Sequence, residues 1–194
     1  MVLKVYMVRH GQSEANQRQV YSGWAQVKLT VQGEEDAKRA GEYLNGKHFD
    51  RVYSSDLIRA VTTAKLALPG YEPEQLKELR EISVGRLAGH DVLDRKGLFG
   101  ADLQTNRAKL DFTPYGGENR EMLNARVRAF MKRMEESDDE AVIAFTHLGV
   151  LQSMAELVLE MAAGRSQLRC RNCCISLFAF ENGRWYLEGW GLGE

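Results

Sequence analysis

Short apolar runs that stop at polar, glycine-containing loops alternate along this chain with longer stretches of helical periodicity. Leu3 to Val8 is the first run, and it ends at Arg9-His10-Gly11-Gln12-Ser13. Ala141 to Phe145 is another, and it ends at Thr146-His147-Leu148-Gly149. Both read as buried strands, and Arg51-Val52-Tyr53 reads as a shorter one. Thr30 can cap a helix over Val31–Leu44, with Glu34, Glu35 and Asp36 in its first turns, where the helix dipole favours negative charge. Gly46 follows as a stop signal. Ser54-Ser55-Asp56 offers caps for a helix through about Leu66, which Pro69-Gly70 ends. Glu118 to Glu136 is the clearest amphipathic helix, with Met122, Ala125, Phe130 and Met134 among its apolar positions, and Gly149–Met161 forms another. Leu177–Phe180 and Trp185–Leu187 flank Asn182-Gly183, a strong hairpin signal because both central residues must tolerate positive φ.

Strands alternating with helices predict an α/β fold: a three-layer sandwich, its sheet mostly parallel, with helices on both faces and an antiparallel edge hairpin. Residues 1–194 are expected to form a single domain. A chain of this length buries roughly 70% of the surface its unfolded form exposes. The pattern weakens at about 85–114, a stretch that carries Arg86, His90, Arg95, Lys96, Arg107 and Lys109. It reads as a cap-like excursion over one face of the sheet, and such excursions are often lids or binding loops.

Charge serves here to exclude partners. Charged residues are 27% of the chain and the net charge is −1, so no nucleic acid or acidic membrane surface is expected as a partner. Lys4 interrupts the first apolar run, which therefore does not read as a signal peptide. No window approaches ~18 uninterrupted apolar residues, so no membrane span is expected. Cys170, Cys173 and Cys174 are an odd, clustered set that predicts no disulfide framework and fits a reducing cytoplasm. With no second pair to complete four zinc ligands, they read as small core hydrophobes.

The candidate chemistry lies at the strand ends, where open α/β sheets bind ligands. Arg9 supplies planar, bidentate donors suited to phosphate, and His10 can be a nucleophile when held as a neutral imidazole. Gly11 lets the backbone approach a ligand closely. Alone, this tripeptide is more often a surface Arg-His pair. Arg59, about one turn into the helix after Ser54-Ser55-Asp56, adds a cation near an anion-friendly helix start, although a solvated helix charge is its plainer reading. Glu81, in Leu79-Arg80-Glu81, is a carboxylic acid that could protonate a leaving oxygen and then deprotonate water; otherwise it is one exposed glutamate among many.

In combination these segments resemble the histidine phosphatase superfamily, the phosphoglycerate mutase-like proteins. The resemblance runs through Arg9-His10-Gly11-Gln12-Ser13-Glu14-Ala15-Asn16, Ser22-Gly23-Trp24, Leu29-Thr30 and Gly33. It continues through Ser54-Ser55-Asp56-Leu57, Arg59-Ala60, Thr63-Ala64, Leu79-Arg80-Glu81, Gly116-Gly117-Glu118 and His147, in order across nearly the whole chain. The stretch from Gly85 to Pro114 matches nothing closely. The resemblance implies that His10 attacks phosphorus and becomes a phosphohistidine. It implies that Arg9, Arg59 and His147 surround the phosphoryl oxygens, with Asn16, Ser22 and Gly23 near them, and that Glu81 is the general acid and then the base. No metal and no cofactor are implied. Uncatalysed phosphate-monoester hydrolysis can demand accelerations of up to ~10²¹, while one charged hydrogen bond contributes roughly 1.5–3 kcal/mol, so several converging donors are needed.

In this family the second histidine is usually followed by two glycines; here Leu148 precedes Gly149. Only the backbone amide at that position is expected to face phosphate, so Leu148 is compatible with the site and narrows it. Gln12 and Asn119 replace a commoner glutamate and serine. His147 is expected to work best as a cation. The leading expectation is a cytoplasmic phosphatase acting on a phosphorylated small molecule. The alternatives are a cofactor-dependent phosphoglycerate mutase and a non-catalytic phospho-ligand binding protein. Such mutases carry longer basic insertions after the acid, and no Glu-Arg-His-Tyr stretch follows Leu79. A silent binder would be marked by loss of His10 or Glu81, and both are present. Trp185, Trp190 and the hairpin edge could support a homodimer.

Overall fold

A computed structural model describes residues 2–161 and 168–193. Among these described residues the sheet has six strands: β1 (Leu3–Arg9), β2 (Arg51–Ser54), β3 (Glu74–Gln75), β4 (Ala141–Thr146), β5 (Ile175–Glu181) and β6 (Arg184–Leu192). Their order is β3-β2-β4-β1-β5-β6. β1, β2, β3 and β4 pair in parallel, while β5 and β6 add an antiparallel hairpin at one edge. Asn182 and Gly183 make its turn at φ 51° and 76°.

Among the described residues six α-helices accompany the sheet: α1 (Glu14–Arg18), α2 (Val31–Leu44), α3 (Ile58–Ala67), α4 (Asp102–Lys109), α5 (Arg120–Glu135) and α6 (Leu148–Val158). The central strand β4 is apolar on both sides, as a covered parallel sheet requires. Val142 and Ala144 pack into a core with Leu123, Val127 and Phe130 of α5 and Val150, Leu151 and Met154 of α6. Ile143 and Phe145 face the other way, onto Leu44 of α2 and Ala64 and Ala67 of α3. The two faces of one strand thus set the three layers.

Thr30 caps α2 by accepting the Gly33 amide, as its sequence predicts. Elsewhere the structure departs from the pattern. The buried stripe of α5 is Leu123, Val127, Phe130, Met131 and Met134, whereas Met122 and Ala125 face outward. The i, i+4, i+7, i+11 spacing from Leu123 selects that face, and Met122 lies off it. α3 begins at Ile58 rather than at the serines, because Ser54 belongs to β2 and the Ser55 hydroxyl accepts the Leu57 amide at 3.3 Å, ahead of the helix, and lies 2.9 Å from His147 Nε2. Asp56 does not cap α3; it takes a bidentate pair from Arg80 at 2.6 and 2.5 Å.

The reading of the cysteines also needs correction. Cys170 and Cys174 form a disulfide, with Cα atoms 5.8 Å apart. The chain turns through Cys173 in the left-handed region at φ 62°, which folds the segment back on itself. Two of the three cysteines are thus paired and do not point to a reducing compartment, while buried Cys173 is a free thiol. Burial pushes that thiol up to about 12. No helix among the described residues is long and apolar enough to cross a membrane.

Candidate active site

The register of two parallel strands builds the centre. β1 and β4 pair Arg9 with Thr146, so the next residue on each strand, His10 and His147, leaves the carboxyl edge beside the other. The His10 amide donates to the Thr146 carbonyl at 2.9 Å, continuing the ladder one step past the strand. The two rings lie 5.0 Å apart, centroid to centroid. His10 Nδ1 lies 2.7 Å from the Gly11 carbonyl oxygen. A carbonyl only accepts, so Nδ1 carries the proton and Nε2 holds the lone pair. Burial, then the charges of Arg59 and Arg9, hold His10 well below the usual imidazole range. The ring is a neutral base with one nitrogen aimed away from its own backbone.

Both arginines donate to backbone carbonyls, Arg9 half-buried and Arg59 fully buried. Arg9 donates through Nη1 to the Cys170 carbonyl at 2.6 Å. Arg59, fully buried at the second position of α3, donates to the Ala25 and Gly23 carbonyls at 3.0 and 2.8 Å. A solvated helix charge is therefore excluded for Arg59. Burial lowers its guanidinium to about 10, against the opposing pull of Glu81, so it stays charged at neutral pH. Arg9 Nε, Arg59 Nε and His147 Nδ1 are buried without a hydrogen-bond partner. Buried polar groups left unpaired are costly, and these three, with the neutral ring of His10, are suited to receive an anion.

Burial, followed by the charges of Arg59, His10 and Arg9, pushes His147 well below the usual imidazole range before any anion is bound. Its Nε2 stands 2.9 Å from Ser55 Oγ.

Glu81 enters from the segment after β3. Its carboxylate accepts the Ile82 amide at 2.9 Å and the Gly149 amide of α6 at 3.4 Å. Its carbonyl accepts Trp24 Nε1 at 2.7 Å and Arg126 at 3.3 Å. Arg126 also donates to the carbonyls of Glu78 and Arg80 and to the carboxylate of Glu118, tying the whole segment to α5.

The remaining candidates take different places. Gly11 is small because α2 crosses it: a Cβ there would stand 2.3 Å from the Gly33 carbonyl oxygen. Its amide donates to Thr63 Oγ1 at 3.0 Å, so it serves packing as well as the loop. Asn16 Oδ1 accepts from the Ser13 amide and hydroxyl, completing the cap of α1. Gly23 gives its carbonyl to Arg59. Ser22, Gly23, Glu81, Leu148 and Gly149 line a cavity of about 310 Å³, whose far wall is Val84, Val92, Arg107, Leu110 and Phe112 from the 85–114 stretch and its flank. Arg107 is the one cation among those lining residues. A larger cavity of about 510 Å³, beside Gln12, Arg39 and Asn172, contains none of the proposed catalytic residues.

Four contributors have no isolated signal in the sequence. Asn172 donates to the His10 carbonyl at 2.9 Å and lies inside the cysteine cluster, between Cys170 and Cys173. Thr63 couples Gly11 to α3, and Ser55 and Arg126 act through His147 and Glu81. Among the described residues no group of His, Cys, Asp and Glu is arranged to hold a metal ion.

The sequence profile of the histidine phosphatase superfamily, branch 1, matches residues 5–193. The chain belongs to the histidine phosphatase superfamily. An adenosylcobalamin/alpha-ribazole phosphatase of Salmonella typhimurium is 33% identical over 171 residues, covering 83% of this chain and 82% of that protein. A 2,3-bisphosphoglycerate-dependent phosphoglycerate mutase of Brucella ovis is 37% identical over 129 residues, covering 62% of this chain and 63% of the mutase. Among solved structures, an alpha-ribazole phosphatase from Shigella flexneri superposes with a TM-score of 0.86 at 25% identity, covering 98% of this chain and 97% of its own. A mycobacterial glucosyl-3-phosphoglycerate phosphatase does so with a TM-score of 0.84 at 25% identity, covering 98% and 99%. A phosphoglycerate mutase from Bacillus anthracis shares the fold over 98% of this chain and 93% of its own, with a TM-score of 0.81 at 24% identity.

Proposed function

We propose that this protein is a metal-independent phosphatase that hydrolyses a phosphorylated small molecule through a phosphohistidine on His10. The observation that carries the reading is the Nδ1 contact of His10 with the Gly11 carbonyl, which leaves Nε2 as a neutral nucleophile among Arg9, Arg59 and His147. Nε2 attacks phosphorus as the P–O bond to the leaving group breaks. The guanidinium groups and His147 stabilise charge on the non-bridging oxygens, and Glu81 gives its proton to the departing oxygen. Water then attacks the phosphohistidine and passes its proton to Glu81. The N–P bond breaks, releasing phosphate and restoring His10.

Hydrolysis is favoured over mutase chemistry by the cavity beyond Glu81. Its far wall is mainly apolar, with Arg107 as the single cation. A leaving group bearing a carboxylate or second phosphate would call for paired cationic donors there. The preferred leaving group is accordingly uncharged and partly apolar.

The test is turnover of an aryl phosphate in the presence of a chelator, followed by acid-labile labelling of the protein. Wild type should turn over and label, and His10→Ala should lose both. Full inhibition by the chelator, reversed by added metal, would contradict the proposal, as would label retained in His10→Ala.

A further inference from the structure

The residue after Leu148 shows why only one glycine is needed behind the second histidine. A Cβ built on Gly149 would stand 2.2 Å from Glu81 Oε1 and 3.3 Å from its carboxyl carbon. The next neighbour, Leu123 Cδ2, is at 3.6 Å, an ordinary contact. The position is the second of α6, and its backbone is not in the positive-φ region, so a side chain is excluded here by Glu81 and not by conformation. The Glu81 main chain is anchored by Trp24 and Arg126. The carboxylate is the part free to give way.

We infer that Gly149 is a positioning residue for the acid: with the Ile82 amide holding Oε1, its missing side chain and its own amide on Oε2 set where the Glu81 carboxyl sits. Leu148 points instead into the cavity wall, which is why a side chain is tolerated one residue earlier. This inference rests on the reading of Glu81 as the group that protonates the leaving oxygen. A methyl group at 149 turns that carboxyl aside without touching His10, Arg9 or Arg59. It also replaces glycine by a better helix former, so the fold should not suffer.

Two substrates separate positioning from general damage. Phenyl phosphate releases a phenoxide basic enough to need a proton; 2,4-dinitrophenyl phosphate releases a stable anion that does not. Gly149→Ala should lower kcat/KM for phenyl phosphate by roughly 10–100-fold, leave that for 2,4-dinitrophenyl phosphate within about threefold of wild type, and melt no lower than wild type. In a Glu81→Gln background the same substitution should add nothing for phenyl phosphate, since residues acting through one another are not additive. Equal losses on both substrates, an unaffected phenyl phosphate rate, or additive losses in the double variant would each overturn the inference. A wild type that hydrolyses neither substrate would instead overturn the phosphatase reading beneath it.

Discussion

His10 and His147 stand with ring centroids 5.0 Å apart and planes inclined at 58°, because each is the first residue beyond paired positions of two parallel strands. The pair shares one buried environment. Arg59 and Arg9 depress the proton affinity of both rings, after burial itself. A phosphoryl dianion entering between them would reverse that balance at His147, drawing a proton onto the ring that does not attack.

This relationship makes stability depend on pH with a definite sign. In the unfolded chain both histidines protonate as pH falls through about 6.5. In the folded protein their lowered values keep them neutral there. The unfolded state thus binds more protons, and stability declines below about pH 6.5 by up to ~1.4 kcal/mol per pH unit for each histidine. Above that pH they contribute no slope. Denaturant melts at pH 7.5 and 5.5 should show the wild type losing more than a His10→Gln/His147→Gln variant. An equal loss would mean that the two rings are not held neutral.

Arg59→Lys should behave as a severe change despite keeping the charge. The guanidinium reaches two carbonyls, of Gly23 and Ala25, and keeps Nε for a third partner. An ammonium is a point charge on a flexible stem and cannot span the set. We expect kcat/KM for an aryl phosphate to fall roughly 10²–10³-fold, with a lowered melting temperature because a carbonyl is left unpaired in the interior. Steady-state kinetics within a few-fold of wild type would show that charge alone suffices.

Supplied with 3-phosphoglycerate and 2,3-bisphosphoglycerate, the protein should form little 2-phosphoglycerate, and any phosphoryl group taken from either should appear mainly as inorganic phosphate. The apolar wall of Val84, Val92, Leu110, Phe112 and Leu148 offers no set of cations to retain an intermediate bearing two phosphates. Phosphorus NMR of the mixture decides the matter, and rapid isomerisation would replace hydrolysis with mutase chemistry.

The sequence alone determined the layers and the strand ends. Apolar runs of strand length and stripes of helical period are local properties, and they marked β1, β2, β4, α2 and the hairpin before any contact was known. It determined, too, that Arg9, His10, Arg59, Glu81 and His147 follow one another in a recognisable order. It did not determine which face of α5 is buried, since Met122 is as apolar as its inward neighbours. Nor did it separate a solvated Arg59 from one fully buried between carbonyls, because solvation is decided by residues distant along the chain. The proton on His10, the neutral state of His147, the Cys170–Cys174 pairing and the fit of Glu81 against Gly149 all belong to tertiary structure. Each depends on a distance between groups brought together by folding, and pKa and steric fit are functions of such distances. Leu148 and Gly149 show the division most sharply: adjacent in sequence, one lines the cavity and the other must stay bare so that Glu81 can approach.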